Sequence, residues 1–205
     1  MMKTLIVQYA PRMERSSTKN LSDYFRSKAK GTVEVLDIAA HLPPMFSTEN
    51  IGSYFKKYYN KAVLEGKEKE HLAPFEDLVA QLKSADVVVL AFPMYNFSLP
   101  AAVKAYFDAV LLMGETWIMD DKGYHGLMAG KKALIISTSG GVYSAGPMAA
   151  MNHSFNLATD LFKFMGFGPV EVVLGEGINY TPEKKEHIMA EAKAKLDTIA
   201  KNWYG

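Results

Sequence analysis

Five short apolar runs punctuate the chain: Thr4 to Tyr9, Val33 to Ile38, Val87 to Phe92, Ala133 to Ser137 and Val170 to Leu174. The third, Val87-Val88-Val89-Leu90-Ala91-Phe92, shows no polar alternation, as expected of a strand covered on both faces in a parallel sheet. Helical periodicity fills the gaps. Thr18 to Lys30 sets Leu21, Tyr24, Phe25 and Ala29 on one face, and Pro74 to Ser84 does the same with Phe75, Leu78, Val79 and Leu82. A third helix is expected from Pro100 through Leu112, its proline in the first turn where a missing N–H is harmless. Two more are expected over Ala149 to Phe164 and Pro182 to Trp203.

This α/β alternation predicts a doubly wound five-stranded parallel sheet with helices on both faces, in one domain spanning residues 1–205. The pattern does not dictate the strand order; the flavodoxin-like 2-1-3-4-5 is the commonest for five strands. With that order the chain reverses direction between strands 1 and 3, and a crevice opens beyond their carboxyl ends. The loops after strands 1, 3 and 4 are then the expected seat of function. Ser47 to Ala73 breaks the alternation and reads as a helical insertion, with Tyr54, Phe55, Tyr58 and Tyr59 among lysines. Such a stretch can stack bases and hold phosphates, or bury its rings on the domain or on a second subunit. Packing is the favoured reading, since lysine stems commonly lie along apolar edges.

Composition narrows the chemistry. The hydrophobic content of 49% in 205 residues is ample for a core, and 23 basic against 22 acidic residues leave a net charge of +1. No large single-sign field exists to attract nucleic acid or an anionic membrane, so neither is expected as a partner. There is no cysteine, so disulfides, thiolate catalysis, Cys-ligated zinc and iron–sulfur clusters are excluded; redox chemistry would need a bound organic cofactor or a metal. His41, His71, His125, His153 and His187 show no paired ligand spacing, so no metal is expected. Met1 to Val7 has no long apolar run and no stretch approaches ~18 apolar residues, so a soluble cytoplasmic protein is expected.

Three loops carry the candidate chemistry. After strand 1, Ser16, Ser17 and Thr18 crowd one helix start, where unpaired N–H groups and the helix dipole favour a phosphate. One of these hydroxyls could equally be an ordinary N-cap. The segment is neither a Walker loop nor a dinucleotide fingerprint, and a terminal monophosphate such as that of FMN suits it. After strand 3, Pro93-Met94-Tyr95-Asn96-Phe97 forms an apolar, aromatic loop that could cap the core or wall an isoalloxazine. After strand 4, Thr138-Ser139-Gly140-Gly141 lets the backbone turn and approach a ring. Its N–H groups could stabilise charge on a flavin's pyrimidine edge, with Tyr143 as a further donor.

These residues resemble the FMN-dependent NADH azoreductases, which are similar in turn to the flavodoxin-fold NAD(P)H:quinone oxidoreductases. The resemblance spans nearly the whole chain. It rests on Ser16-Ser17-Thr18 followed by Asn20 to Phe25, on Pro93 to Phe97, on Gly130-Lys131-Lys132-Ala133, on Ser139-Gly140-Gly141 and on Glu176-Gly177-Ile178. It implies that Ser16, Ser17 and Thr18 hold the FMN phosphate, that Met94, Tyr95, Asn96 and Phe97 flank the ring, and that Thr138 to Gly141 meet its pyrimidine end. It also implies a homodimer with sites at the interface. NADH or NADPH would be the hydride donor, and a quinone or azo compound the acceptor, in a ping-pong cycle. No protein nucleophile is expected; Trp117, Met119 and Phe167 are candidate substrate walls from the partner or from nearby loops. The chain departs from the pattern at Ala10, where many relatives carry serine, and at Ser139, where many carry arginine. A flavodoxin-like electron carrier and a flavin-free binding module are the alternatives.

Overall fold

Every residue from 1 to 205 is described by the structure, a computed structural model. Strands β1 (Lys3–Gln8), β2 (Thr32–Asp37), β3 (Val87–Pro93), β6 (Lys132–Thr138) and β7 (Val170–Gly175) form one sheet in the order β2-β1-β3-β6-β7. All four neighbour pairs are parallel. Counting only these strands, the order is the expected 2-1-3-4-5.

The central strand shows why a continuous apolar run was needed. Val88, Leu90 and Phe92 enter one core, packed by α3 (Lys67–Ser84), α4 (Ala101–Val110) and α5 (Phe155–Phe164). Val87, Val89 and Ala91 enter the other, beneath α1 (Ser17–Lys28) and α6 (Lys185–Tyr204). The strand's two-residue period therefore feeds both layers, and burying each large apolar side chain stabilises by roughly 1.5–3 kcal/mol. On the α1/α6 side Phe25 lies edge-on to Trp203, with centroids 6.4 Å apart.

Three elements differ from the sequence expectation. The helix expected at Pro74 begins at Lys67, because Leu72 already belongs to the buried face that continues through Phe75, Val79 and Leu82. Apolar patterning thus carries the helix through an internal proline. The helix expected from Ala149 starts at Phe155, after a separate 3₁₀ turn over Ala149–Met151. A two-stranded antiparallel hairpin, β4 (Trp117–Asp120) with β5 (Gly123–Gly126), was not anticipated. Its strands are four residues long with no buried position, too short to stand out as alternation.

Candidate functional site: a cleft at the carboxyl ends of the strands

The cleft begins at the start of α1, where the three hydroxyls take three different roles. Ser16 is the N-cap, its Oγ accepting the Lys19 N–H at 3.2 Å. Thr18 is buried, and its Oγ1 lies 2.6 Å from Thr138 Oγ1, tying the first turn of α1 to the end of β6. Ser17 alone lines the cleft with a hydroxyl that has no hydrogen-bond partner within the chain. The backbone N–H groups of Ser17 and Thr18 are unpaired as well, as first-turn groups are. No acidic side chain occupies that turn, and Arg12, which has no carboxylate partner, stands beside it. The electrostatics at this end suit an anion.

The second wall is a tight hairpin at the end of β3. Tyr95 N–H donates to Ser98 O at 3.2 Å and Ser98 N–H to Tyr95 O at 3.0 Å, so Asn96 and Phe97 are the two central residues of the turn. Both have positive φ, +47° and +68°, as a type I′ turn requires. Asparagine tolerates this region; phenylalanine there is strained. Phe97 is held from behind by the His153 N–H, which donates to its carbonyl at 2.9 Å. Its ring meets Tyr143 edge-on, with centroids 5.8 Å apart. Tyr95 packs edge-on against Tyr9 at 6.1 Å. Burial, reinforced by the neighbouring Tyr9, pushes the Tyr95 phenol above its ordinary pKa, so it stays protonated at neutral pH.

The third wall is the glycine turn after β6, gripped by the loop after β7. Ile178 N–H donates to Ser139 O, Asn179 and Tyr180 N–H to Gly140 O, and Gly177 N–H to Gly141 O, all within 3.0–3.2 Å. With the carbonyls of residues 139–141 occupied this way, the N–H groups of Gly140, Gly141 and Val142 are left without a partner. Neither glycine needs a left-handed φ. Their lack of a side chain leaves space instead: a Cβ on Gly140 would sit 2.8 Å from Asn179 Nδ2, and one on Gly141 2.8 Å from Tyr180 Cε2, so either would displace a neighbour.

Together these walls enclose two contiguous hollows of about 130 and 400 Å³ that share Met94, Ser139, Gly140 and Asn179. The smaller holds the α1 end, with Pro93 and Thr138 in its lining; the larger lies between Phe97, Tyr143 and Tyr180. The space is in the range of small-molecule sites, roughly 300–1,000 Å³. A long ligand with an anionic tail and a flat head fits this arrangement. The structure thus brings together all thirteen residues expected around a cofactor. The expected substrate walls do not join them. Phe167 is 4% exposed and packs edge-on to Phe162 in the core, and it lines neither hollow of its own chain. Trp117 and Met119 lie on the β4–β5 hairpin, Trp117 packed against Phe164 and Met119 60% exposed. Arg12, Asn179 and Tyr180 line the hollows and were missed. The Glu176-Gly177-Ile178 motif beside the last two was the available signal.

A family model described as a flavodoxin-like fold matches residues 2–200. The chain belongs to this family. The FMN-dependent NADH:quinone oxidoreductase of Escherichia coli K12 is 36% identical over 204 residues, spanning 97% of this chain and 98% of that one. Among solved structures, an azoreductase from Bacillus anthracis superposes with a TM-score of 0.90 at 28% identity, covering 99% of this chain and all of that one. An FMN-dependent NADH-azoreductase from the same species, solved with FMN, shares the fold with a TM-score of 0.86 at 23% identity. The family anticipated from the sequence motifs is the one found. In this flavodoxin-like chain no helix is long and apolar enough to cross a membrane. No group of three or more His, Asp or Glu side chains is placed to hold a metal ion.

Proposed function

We propose that the whole chain acts as one FMN-binding domain and is an NAD(P)H-dependent oxidoreductase that reduces quinones and azo compounds in the cytoplasm. The observation that carries this reading is the row of unpaired backbone donors at both ends of the cleft. Ser17 and Thr18 N–H at the α1 start match a phosphate dianion, and Gly140 and Gly141 N–H match the carbonyl-rich edge of a flavin. Bound FMN would supply the two-electron redox chemistry that a chain without cysteine cannot supply itself.

The chain's own part is to hold and to shield. Ser16, Ser17, Thr18 and Arg12 would hold the phosphate, and Pro93, Met94, Tyr95, Asn96 and Phe97 would flank the ring. Thr138, Ser139, Gly140, Gly141 and Tyr143 would close the pyrimidine end, where fixed N–H dipoles would stabilise negative charge without reorganisation. No side chain in the cleft is arranged as a nucleophile–base pair, consistent with a site that positions reactants rather than attacking them.

Donor and acceptor would use the same open face in turn, which is ping-pong kinetics, and cleavage of an azo bond to two amines takes two such cycles. We further propose a homodimer in which the exposed β4–β5 hairpin, with Trp117 and Met119, faces the partner's cleft. The deciding experiment is anaerobic. Protein loaded with FMN is expected to lose its yellow colour on adding NADH or NADPH and to regain it with one equivalent of a quinone. Bound FMN that does not bleach with either nucleotide would reject the enzyme in favour of an electron carrier. A chain that takes up no FMN would reject the cofactor itself.

A further inference from the structure

Beyond the residues that line the cleft, we infer that Glu176 is a positioning residue that sets the reduction potential of the bound flavin. It does so by fixing which backbone N–H groups of the glycine turn remain free. This inference rests on the FMN reading above.

Glu176 directly follows β7 and has no cationic partner. Both of its carboxylate oxygens are instead engaged by the turn after β6. Oε1 accepts the Tyr143 N–H at 2.8 Å, and Oε2 accepts the Ser144 N–H at 3.3 Å together with the Ser144 hydroxyl. Hydrogen bonds to a charged acceptor are the strong ones. The clamp divides the turn at one peptide. Upstream, Gly140, Gly141 and Val142 keep free N–H groups while their neighbouring carbonyls are held by residues 177–180; downstream, Tyr143 and Ser144 are bound. The Tyr143 ring, whose backbone the clamp fixes, is also the ring that meets Phe97 across the larger hollow.

Free N–H groups stabilise charge only where they are held in place beforehand, because donors that must reorganise lose most of the benefit. Two-electron reduction puts negative charge on the pyrimidine edge of a flavin, so the fixed donors favour the reduced form over the oxidised one. A bare carboxylate nearby would do the opposite through its charge. Glu176 therefore acts through orientation: it gives its lone pairs to the loop and leaves the loop's remaining donors to the cofactor.

The test compares Glu176→Ala and Glu176→Gln with the unaltered chain, each loaded with FMN. The midpoint potential is measured by dye equilibration, and the affinity for oxidised FMN by fluorescence titration. Glu176→Ala is expected to weaken the grip on reduced FMN tenfold more than the grip on oxidised FMN. For a two-electron couple that tenfold difference is a fall of about 30 mV in midpoint potential. Glu176→Gln keeps an oxygen for the Tyr143 N–H and is expected to recover most of the shift. Equal weakening of both redox forms, with an unchanged potential, would make Glu176 a merely structural clamp and overturn the inference. So would a rise in potential in Glu176→Gln as large as the fall in Glu176→Ala, since charge would then dominate. If Glu176→Ala does not fold, Glu176→Asp, one methylene too short for both amides, is expected to lower the potential partway, and an unchanged potential there is equally decisive. FMN uptake by the unaltered chain tests the cofactor reading separately, and the potentials test Glu176.

Discussion

The insertion between β2 and α3 and the loops around the cleft are both rich in aromatic and polar residues, yet they dispose of their polar groups in opposite ways. In the insertion, α2 (Thr48–Tyr54) runs into a π turn over Phe55–Tyr59, and the two lysines of that turn are held by carboxylates. Lys56 Nζ lies 2.7 Å from both carboxylate oxygens of Glu68, and Lys57 pairs with Glu76. The rings pack on one another, with Tyr54 within 5.2–5.8 Å of Phe46, Phe55, Tyr58 and Tyr59. Burial and the carboxylates of Glu115 and Glu76 push the Tyr58 phenol well above its ordinary range, so it remains a donor, to Glu115 at 3.3 Å. Around the cleft, donors are left unpaired, a phenylalanine sits at φ +68° and two glycines make room where a Cβ would collide. The insertion turns the charges and rings of its π turn on its own neighbours, and the cleft leaves its donors open. That contrast is the physical ground for placing function at the strand ends and for reading the lysine and tyrosine stretch as packing.

The contrast breaks most sharply at Gly141. A Cβ there would stand 2.8 Å from Tyr180 Cε2 and 3.2 Å from Tyr143 Cε2. Tyr180 is 80% exposed and can swing aside, so Gly141→Val is expected to fold, but the added bulk fills the approach to the glycine turn. FMN affinity should fall about a hundredfold, close to 3 kcal/mol at 1.4 kcal/mol per decade. The check is a fluorescence titration beside a thermal melt of the apo protein. Ordinary affinity would show that the flavin does not approach this turn.

Next in size is Ser17→Ala. Ser16 already accepts a bond as the cap of α1 and Thr18 is tied to Thr138, so Ser17 is the one hydroxyl of the three with no partner within the chain. Its loss should weaken FMN roughly tenfold, the worth of a hydrogen bond to a charged group. Lys56→Met in the insertion, which breaks a comparably close charged contact, should change FMN affinity less than twofold. Equal effects from the two substitutions would erase the distinction between the regions.

Much of this was legible from the chain, and the parts that were not share a cause. The unbroken apolar run of β3 required two covering layers, and the hydroxyl cluster, the aromatic loop and the paired glycines marked three walls of one cleft. What sequence could not assign was the division of labour inside each motif. Whether Ser16 or Ser17 is the cap depends on the residue at which the helix begins. Whether Gly140 and Gly141 serve conformation or clearance depends on Asn179 and Tyr180, some 40 residues later, being folded against them. The β4–β5 hairpin escaped because four-residue strands carry too little alternation, and Phe167 misled because an aromatic near a loop can equally face the core. Local pattern fixes which segments meet; the unpaired groups that give a site its chemistry are a property of the assembled whole.

The smallest effect separates strain from function within a single residue. Phe97 occupies the left-handed region at a cost of roughly 1–2 kcal/mol for a residue with a Cβ. Glycine there would create the Asn-Gly pair that type I′ turns favour. Part of the relief, about 0.4–1 kcal/mol, would be lost to the greater freedom of glycine in the unfolded chain. Phe97→Gly is therefore expected to stabilise the apo protein by up to about 1 kcal/mol, a rise in Tm of roughly 2–4 °C for a chain of this length. The same substitution removes the ring that faces Tyr143 across the larger hollow and should weaken FMN severalfold. A higher apo Tm with poorer cofactor binding would show that the strain at Phe97 is kept for the sake of the site. A lower Tm would mean that the contact with Tyr143 outweighs the turn, making Phe97 a packing residue that happens to border the cleft.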